Sequence, residues 1–231
     1  MLDLFNVPAR PHPFPLAVGS AALLVIDMQN DFCHPQGFCC RELKLDSNPV
    51  RAIIPKIAVL ISWARQLGLP VIYTRESHRP DLSDLSQSKR LRYENAGYPV
   101  GSQGHMGRFL IQGDLGCKII GELAPKQDDL QIDKPAQSAF IGTSLERTLC
   151  QKGITHLLVT GVTTQCCVLA TYRDANDLGF YSLLLEDCCG AFDSKAHQAA
   201  IDVLLSEDGA LGWVGSSTDL IRAVPAASRC V

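Results

Sequence analysis

The stretch "HLLVTGVTTQCCVLATYRDANDLGFYSLLLED" (156–187) decides the fold. Its first part, "HLLVTG" (156–161), reads as a buried strand. A helix follows to about Leu178, and Gly179 stands where a helix end favours a left-handed residue. "YSLLLED" (181–187) is the next strand. Continuous apolar strands alternating with helices mean a mainly parallel sheet covered on both faces.

The same rhythm runs outward in both directions. "ALLVID" (22–27) is an earlier strand. Over 50–67, Ile53, Ile54, Ile57, Leu60, Ile61, Ala64 and Leu67 recur at helical spacing until Gly68. "LPVIYT" (69–74) and "LQID" (130–133) are two more strands, and a helix near 143–152 ends at Gly153. Beyond 187 come a helix over 193–206, a short strand "LGWVG" (211–215) and a last helix near 217–223. The expected fold is α/β: a doubly wound, mainly parallel six-stranded sheet flanked by helices, with right-handed crossovers. No linker or repeat interrupts it, so residues 1–231 are expected to form a single domain with an extended, proline-bearing arm over 1–19. Residues 75–113 break the rhythm: polar, rich in Gly and Pro, without a period. They are a candidate lid or substrate loop, and their basic run "SKRLR" reads as a solvated face.

Composition narrows the function. Of the 231 residues 46% are hydrophobic and 19% charged, which suits a large core and excludes general disorder. The 21 basic residues are scattered among 24 acidic ones for a net charge of −3, which argues against nucleic acid. No apolar run is long enough for a membrane span, and the N-terminal stretch does not read as a secretory signal; a cytoplasmic protein is expected. Ten cysteines without any C-x-x-C disfavour zinc ribbons and thioredoxin-like motifs, and most read as small core fillers.

Open parallel sheets carry their sites at the carboxyl ends of the strands. Asp27 ends one strand, Arg75 and Glu76 follow the second, Lys134 lies just past the third, Cys166 and Cys167 come at a helix start after the fourth, and Asp187 ends the fifth. A carboxylate, an amine and a thiol make a set for nucleophilic catalysis. The helix start and a nearby ammonium lower the thiol pKa, and the carboxylate takes its proton and delivers it to a leaving amine. Backbone N–H groups of "VTTQC" suit an oxyanion. Either cysteine fits this pattern. His34, in "DFCHPQG", is the histidine closest in sequence to the set and the alternative partner for a thiol.

The motifs "LLVIDMQNDFC" (23–33), "IDKPAQSAF" (132–140) and "GVTTQCCVLATYRDANDLGF" (161–180) resemble those of the isochorismatase-like cysteine hydrolases. The resemblance implies the triad Asp27, Lys134 and Cys167, a cis peptide between Val162 and Thr163, and an oxyanion hole from the N–H groups of Thr163 and Cys167. Within the family, "TRESHRPDLSDL" (74–85), "GHMGRFLIQGDLG" (104–116) and "LLLEDCCGA" (183–191) look most like biuret and triuret hydrolases. The implied function is hydrolysis of a terminal C–N bond of a small ureide, releasing ammonia through a thiol-bound carbamoyl intermediate. Ureidoacrylate or N-carbamoyl amino acid hydrolysis is the alternative within the family, and a redox scaffold the alternative outside it. The biuret branch carries Gln where Glu207 aligns, a candidate substrate contact. Phe32 and Phe140 are candidate walls of the pocket, and Arg75, Glu76 and Gln103 candidate polar contacts. Nicotinamidases in the family hold a metal through Asp-x-His and a later His. Here the tripeptide is Glu76-Ser77-His78 without the later His, so no metal and no cofactor are expected, and His78 reads as a loop hydrogen-bonding residue. A homodimer or homotetramer is the expected assembly.

Overall fold

The computed structural model describes residues 4–225. Its strands are β1 (Leu4–Val7), β2 (Ala9–Arg10), β3 (Phe14–Ala17), β4 (Ala21–Ile26), β5 (Val71–Glu76), β6 (Gln103–Gly104), β7 (Gly107–Arg108), β8 (Leu130–Lys134), β9 (His156–Val162), β10 (Tyr181–Gly190) and β11 (Trp213–Gly215). The main sheet has seven strands in the order β2-β11-β10-β9-β4-β5-β8. The six expected strands are its parallel members, and the seventh, β2, is antiparallel and comes from the N-terminal arm. The arm is thus less extended than expected, because β1 and β3 also pair with each other.

Successive side chains of a strand point to opposite faces, and both faces of this sheet are buried. Leu23 and Val25 of β4 pack with Ile57, Leu60 and Ile61 of the helix Ile54–Gln66 and with Leu220 of the helix Ser217–Ala223. Ala22, Leu24 and Ile26 face Leu145 and Leu149 of the helix Leu145–Gln151, Tyr172 of Leu169–Asp177, and Ile201 and Leu204 of Ser194–Leu205. Pro55 sits in the first turn of its helix, where its missing N–H breaks no intrahelical bond, and Gly68 follows the helix at φ 67°.

Residues 75–113 are more structured than their composition suggests. They hold the helix Gln87–Asn95, started by Ser86 accepting from the Lys89 N–H, and the short β6–β7 hairpin. A third buried cluster, Phe38, Leu85, Val100, Phe109, Leu110 and Ile111, fastens this excursion to the body. The Asp31 carboxylate, buried beneath it, accepts the Leu110 N–H at 3.0 Å.

The register sets up the strand ends. Ile26 pairs with Gly161, and Glu76 of β5 lies directly opposite Lys134 of β8. Gly161 has φ 117°, and a Cβ there would meet the Ile26 carbonyl oxygen at 2.1 Å. Gly161→Ala is therefore expected to destabilise the protein by about 3 kcal/mol, through both backbone strain and overpacking. Urea denaturation, compared with Gly153→Ala where the added Cβ meets open space, checks this.

Candidate active site

Asp27 is the residue just beyond β4. Its φ is 50°, which turns the side chain back over the strand end, and its N–H reaches Thr74 O and Oγ1, both at 3.2 Å. The Thr74 hydroxyl donates to Asp27 Oδ1 at 2.6 Å. Lys134 ends β8 two strands away and puts Nζ 2.8 Å from Asp27 Oδ2 and 3.7 Å from Glu76 Oε2, while donating to the Ala136 carbonyl at 2.9 Å. Cys167 lies in the tight turn Thr164–Val168 that follows β9, and its Sγ donates to Glu76 Oε2 at 3.2 Å. One oxygen of Asp27, one of Glu76 and the sulfur of Cys167 fall within 4.8 Å of one another, and all three residues are buried. The three residues expected from the sequence thus meet at one rim of the sheet. The Val162–Thr163 peptide is cis, as the resemblance implied.

Glu76 is more central than its place among the loose polar contacts suggested. Its backbone is clamped by Gln29, which accepts from Glu76 N at 2.8 Å and donates to Glu76 O at 3.0 Å. Its other oxygen, Oε1, takes Lys89 Nζ at 2.5 Å and the Tyr93 hydroxyl at 2.9 Å. Lys89 belongs to the basic run read as a solvated face, yet it is 2% exposed. The helix Gln87–Asn95 turns Lys89 and Tyr93, four residues apart, inward together, and the remaining basic side chains outward. Lys89 also donates to the Pro135 carbonyl at 2.9 Å and meets His78 Nε2 at 2.9 Å. The His78 ring is buried, and burial and Lys89 push its pKa down. A neutral ring accepts the Lys89 proton at Nε2 and turns Nδ1 toward Asp84, 3.4 Å away.

These surroundings separate the two carboxyls. Burial pushes Asp27 up, with Glu76 adding to it, against the pull of Lys134. Burial also pushes on Glu76, but Lys134 and Lys89 together overcome it and hold the carboxyl at about 2. Asp27 is the group poised to carry a proton, and Glu76 stays an anion. The Lys134 ammonium is held charged by Asp27 and Glu76 in spite of burial. The sequence led to a thiol with a lowered pKa. The opposite holds here: contact with the Cys166 thiol, burial and the neighbouring carboxylates push Cys167 up against the pull of Lys134, so the resting sulfur keeps its proton. The two oxygens and the sulfur are a set of metal-capable donors, but Lys134 already occupies the space between the carboxylates where a cation would sit.

Other sequence expectations lie elsewhere. Arg75 points away from Glu76 along the strand and forms a two-pronged pair with Asp133 at 2.8 and 3.0 Å. Gln103 is exposed in the β6–β7 hairpin, its amide donating to the neighbouring Gly104 carbonyl. Phe140 stacks on Phe180, the residue before β10, and so packs toward the opposite end of the sheet. Glu207 is exposed beyond the C-terminus of the helix Ser194–Leu205, because that helix runs back from the site across the sheet. Phe32 is half-buried at the correct rim, edge-on to Phe109. His34 does not pair with the thiol; its Nδ1 accepts from Gln36 N. Asp187 binds the N–H and hydroxyl of Ser217 at the start of the last helix.

The isochorismatase domain model matches residues 21–219, and the chain belongs to that family. It is an amidohydrolase of that family, an enzyme of non-peptide C–N bonds. The ureidoacrylate amidohydrolase RutB of Variovorax paradoxus is 30% identical, over 94% of this chain and 86% of its own. A cysteine hydrolase from Pseudomonas syringae superposes with a TM-score of 0.77 at 25% identity, covering 94% of this chain and 96% of its own. The N-carbamoylsarcosine amidase of Thermoplasma acidophilum gives 0.66 at 27% identity, covering 86% and 96%.

The charge on Glu76 also bears on stability. Its folded pKa lies below the ordinary 4.5, so its contribution is present in full above pH 4.5 and is lost as the pH falls toward 2. Glu76→Gln is expected to be less stable than the parent at pH 7, with the gap closing between pH 4.5 and 2. Urea midpoints across that range check this.

Proposed function

We propose that the protein hydrolyses the terminal carbamoyl group of a small ureide, releasing ammonia, with Cys167 as nucleophile. The observation that carries this reading is the buried cluster of one thiol, two carboxyls of opposite protonation tendency and a shared ammonium. The biuret-type motifs of the sequence and the relatives named for ureidoacrylate and N-carbamoylsarcosine support the same chemical class. All of these compounds present a carbonyl bearing a terminal NH₂ and a second nitrogen. The RutB likeness favours ureidoacrylate or another N-carbamoyl acid over biuret as the particular substrate.

The steps follow from the proton inventory. The Cys167 proton passes to Asp27 as the sulfur attacks the carbonyl, and the oxyanion meets the N–H groups of Thr163 and Cys167. Asp27 returns the proton to the departing nitrogen, the C–N bond breaks, and ammonia leaves. A carbamoyl thioester remains. Asp27, again a carboxylate, takes a proton from water, which attacks the thioester and frees Cys167 with a carbamic or carboxylic product. Lys134 offsets the charge on Asp27 and on the sulfur in turn, with no proton transfer of its own. Phe32 and Glu76 are the expected residues that bound the substrate.

Incubation with biuret, triuret and N-carbamoyl acids is expected to release ammonia. Cys167→Ala should abolish turnover, and Asp27→Asn should lower kcat by about 1,000-fold or more. Mass spectrometry of intact protein should show the substrate's acyl adduct on the parent and none on Cys167→Ala. A folded parent that forms no adduct and no ammonia with any of these compounds overturns the reading.

A further inference from the structure

We infer that Glu76, fixed by Lys89 and Tyr93, is the acceptor for an N–H on the nitrogen that stays with the carbonyl carbon, and that it thereby selects ureides over carboxamides. The inference rests on the amidohydrolase reading above and adds the part of the substrate that the site recognises.

Three observations converge on it. Glu76 is 2% exposed, so its oxygens need partners from within the site. Oε1 has two donors, Lys89 and Tyr93, which leave it no role toward substrate. Among the described residues Oε2 has a single close donor, the Cys167 thiol at 3.2 Å; Lys134 at 3.7 Å lies outside ordinary hydrogen-bond reach.

The chemistry then changes what Oε2 sees. When the sulfur bonds the carbonyl carbon, its proton goes to Asp27 and Oε2 loses its donor in a dry site. A buried carboxylate left without that partner opposes the step. The group attached to the carbon now bonded to sulfur takes the place the thiol held beside Oε2 and is the new donor. In a ureide that group is N–H; in a carboxamide it is CH₂, which donates nothing. The leaving nitrogen is not the donor, because it takes the Asp27 proton and departs. Glu76 itself gains and loses no proton, so the balance of the reaction is unchanged. Lys89 is a positioning residue: it acts through Glu76 by holding Oε1 and turning Oε2 toward the sulfur, and His78 and Pro135 hold Lys89 in turn.

Matched pairs of substrates test this. Malonamide replaces the bridging NH of biuret with CH₂, and succinamate does the same for N-carbamoylglycine. N-carbamoylsarcosine keeps the nitrogen but methylates it. The parent is expected to favour each N–H compound over its partners by about 100-fold or more in kcat/KM, since a site built around a hydrogen bond rejects the analogue lacking it. In Glu76→Gln that ratio should fall to within about threefold of one, because an amide turned by Lys89 and Tyr93 presents NH₂ rather than an acceptor. Lys89→Met should lower the ratio mainly through KM for the N–H compound, and Lys89→Arg should restore part of it. Equal turnover of the pairs by the parent, or a parent-like ratio in Glu76→Gln, overturns the inference and leaves the amidohydrolase reading standing. Ammonia released from carboxamides alone does the same to the selection rule. Absence of any turnover or adduct overturns both. Should the variants fail to fold, the parent's ratios against the CH₂ and N-methyl compounds decide alone.

Discussion

Everything at the rim of this sheet depends on where one ammonium sits. Lys134 ends an edge strand, and the pairing of β8 with β5 sets it directly across from Glu76. From there it spans to Asp27 on the far side of β5. It is fully buried from bulk solvent, so the two carboxylates are what keep it ionised. The dependence is mutual: without the amine, two anions would face each other in a dry pocket.

A second lysine breaks the symmetry between those anions. Lys134 is shared between the two carboxylates, but Lys89 pairs with Glu76 and not with Asp27 among the described residues. One carboxyl is left with a raised pKa and the other with a depressed one, from the same kind of side chain in the same buried cluster. The thiol, between them, keeps its proton at rest. A buried thiolate would add a third negative charge to a site where two ammonium groups already balance two carboxylates.

The parallel strands, Asp27 and Lys134 were legible because strand ends in this architecture have a fixed address, whereas the choice of Cys167 over Cys166 came only from the family resemblance. Apolar runs mark the strands, and the next polar residue is then the candidate. The two strands of the N-terminal arm that pair with each other, and β2, escaped because short antiparallel pieces with prolines leave no periodic trace. Lys89 escaped for a different reason. Its helix is polar almost throughout, and the Ser86 cap and the Lys89–Tyr93 spacing were its only signals. Hydrophobic patterning cannot flag an inward face made of an ammonium and a phenol. Glu207 lies away from the rim because an alignment position says nothing about which end of a helix faces it, and Phe140 because nearness in sequence to Lys134 does not fix the direction of the loop after β8.

The excursion between β5 and β8 has a small apolar core built around Phe109 and Leu110, which Phe38 joins to the body of the protein, and Asp31 adds a polar tether. Lys89 and Tyr93 ride on it, whereas Asp27, Lys134 and Cys167 are rooted in the strands or the turns that leave them. The rim therefore joins residues fixed by the sheet, Glu76 and Lys134 among them, to two side chains carried by the excursion, Lys89 and Tyr93. A change confined to the excursion would alter the partners of Glu76 and leave Asp27, Lys134 and Cys167 where the strand ends and the turn after β9 put them.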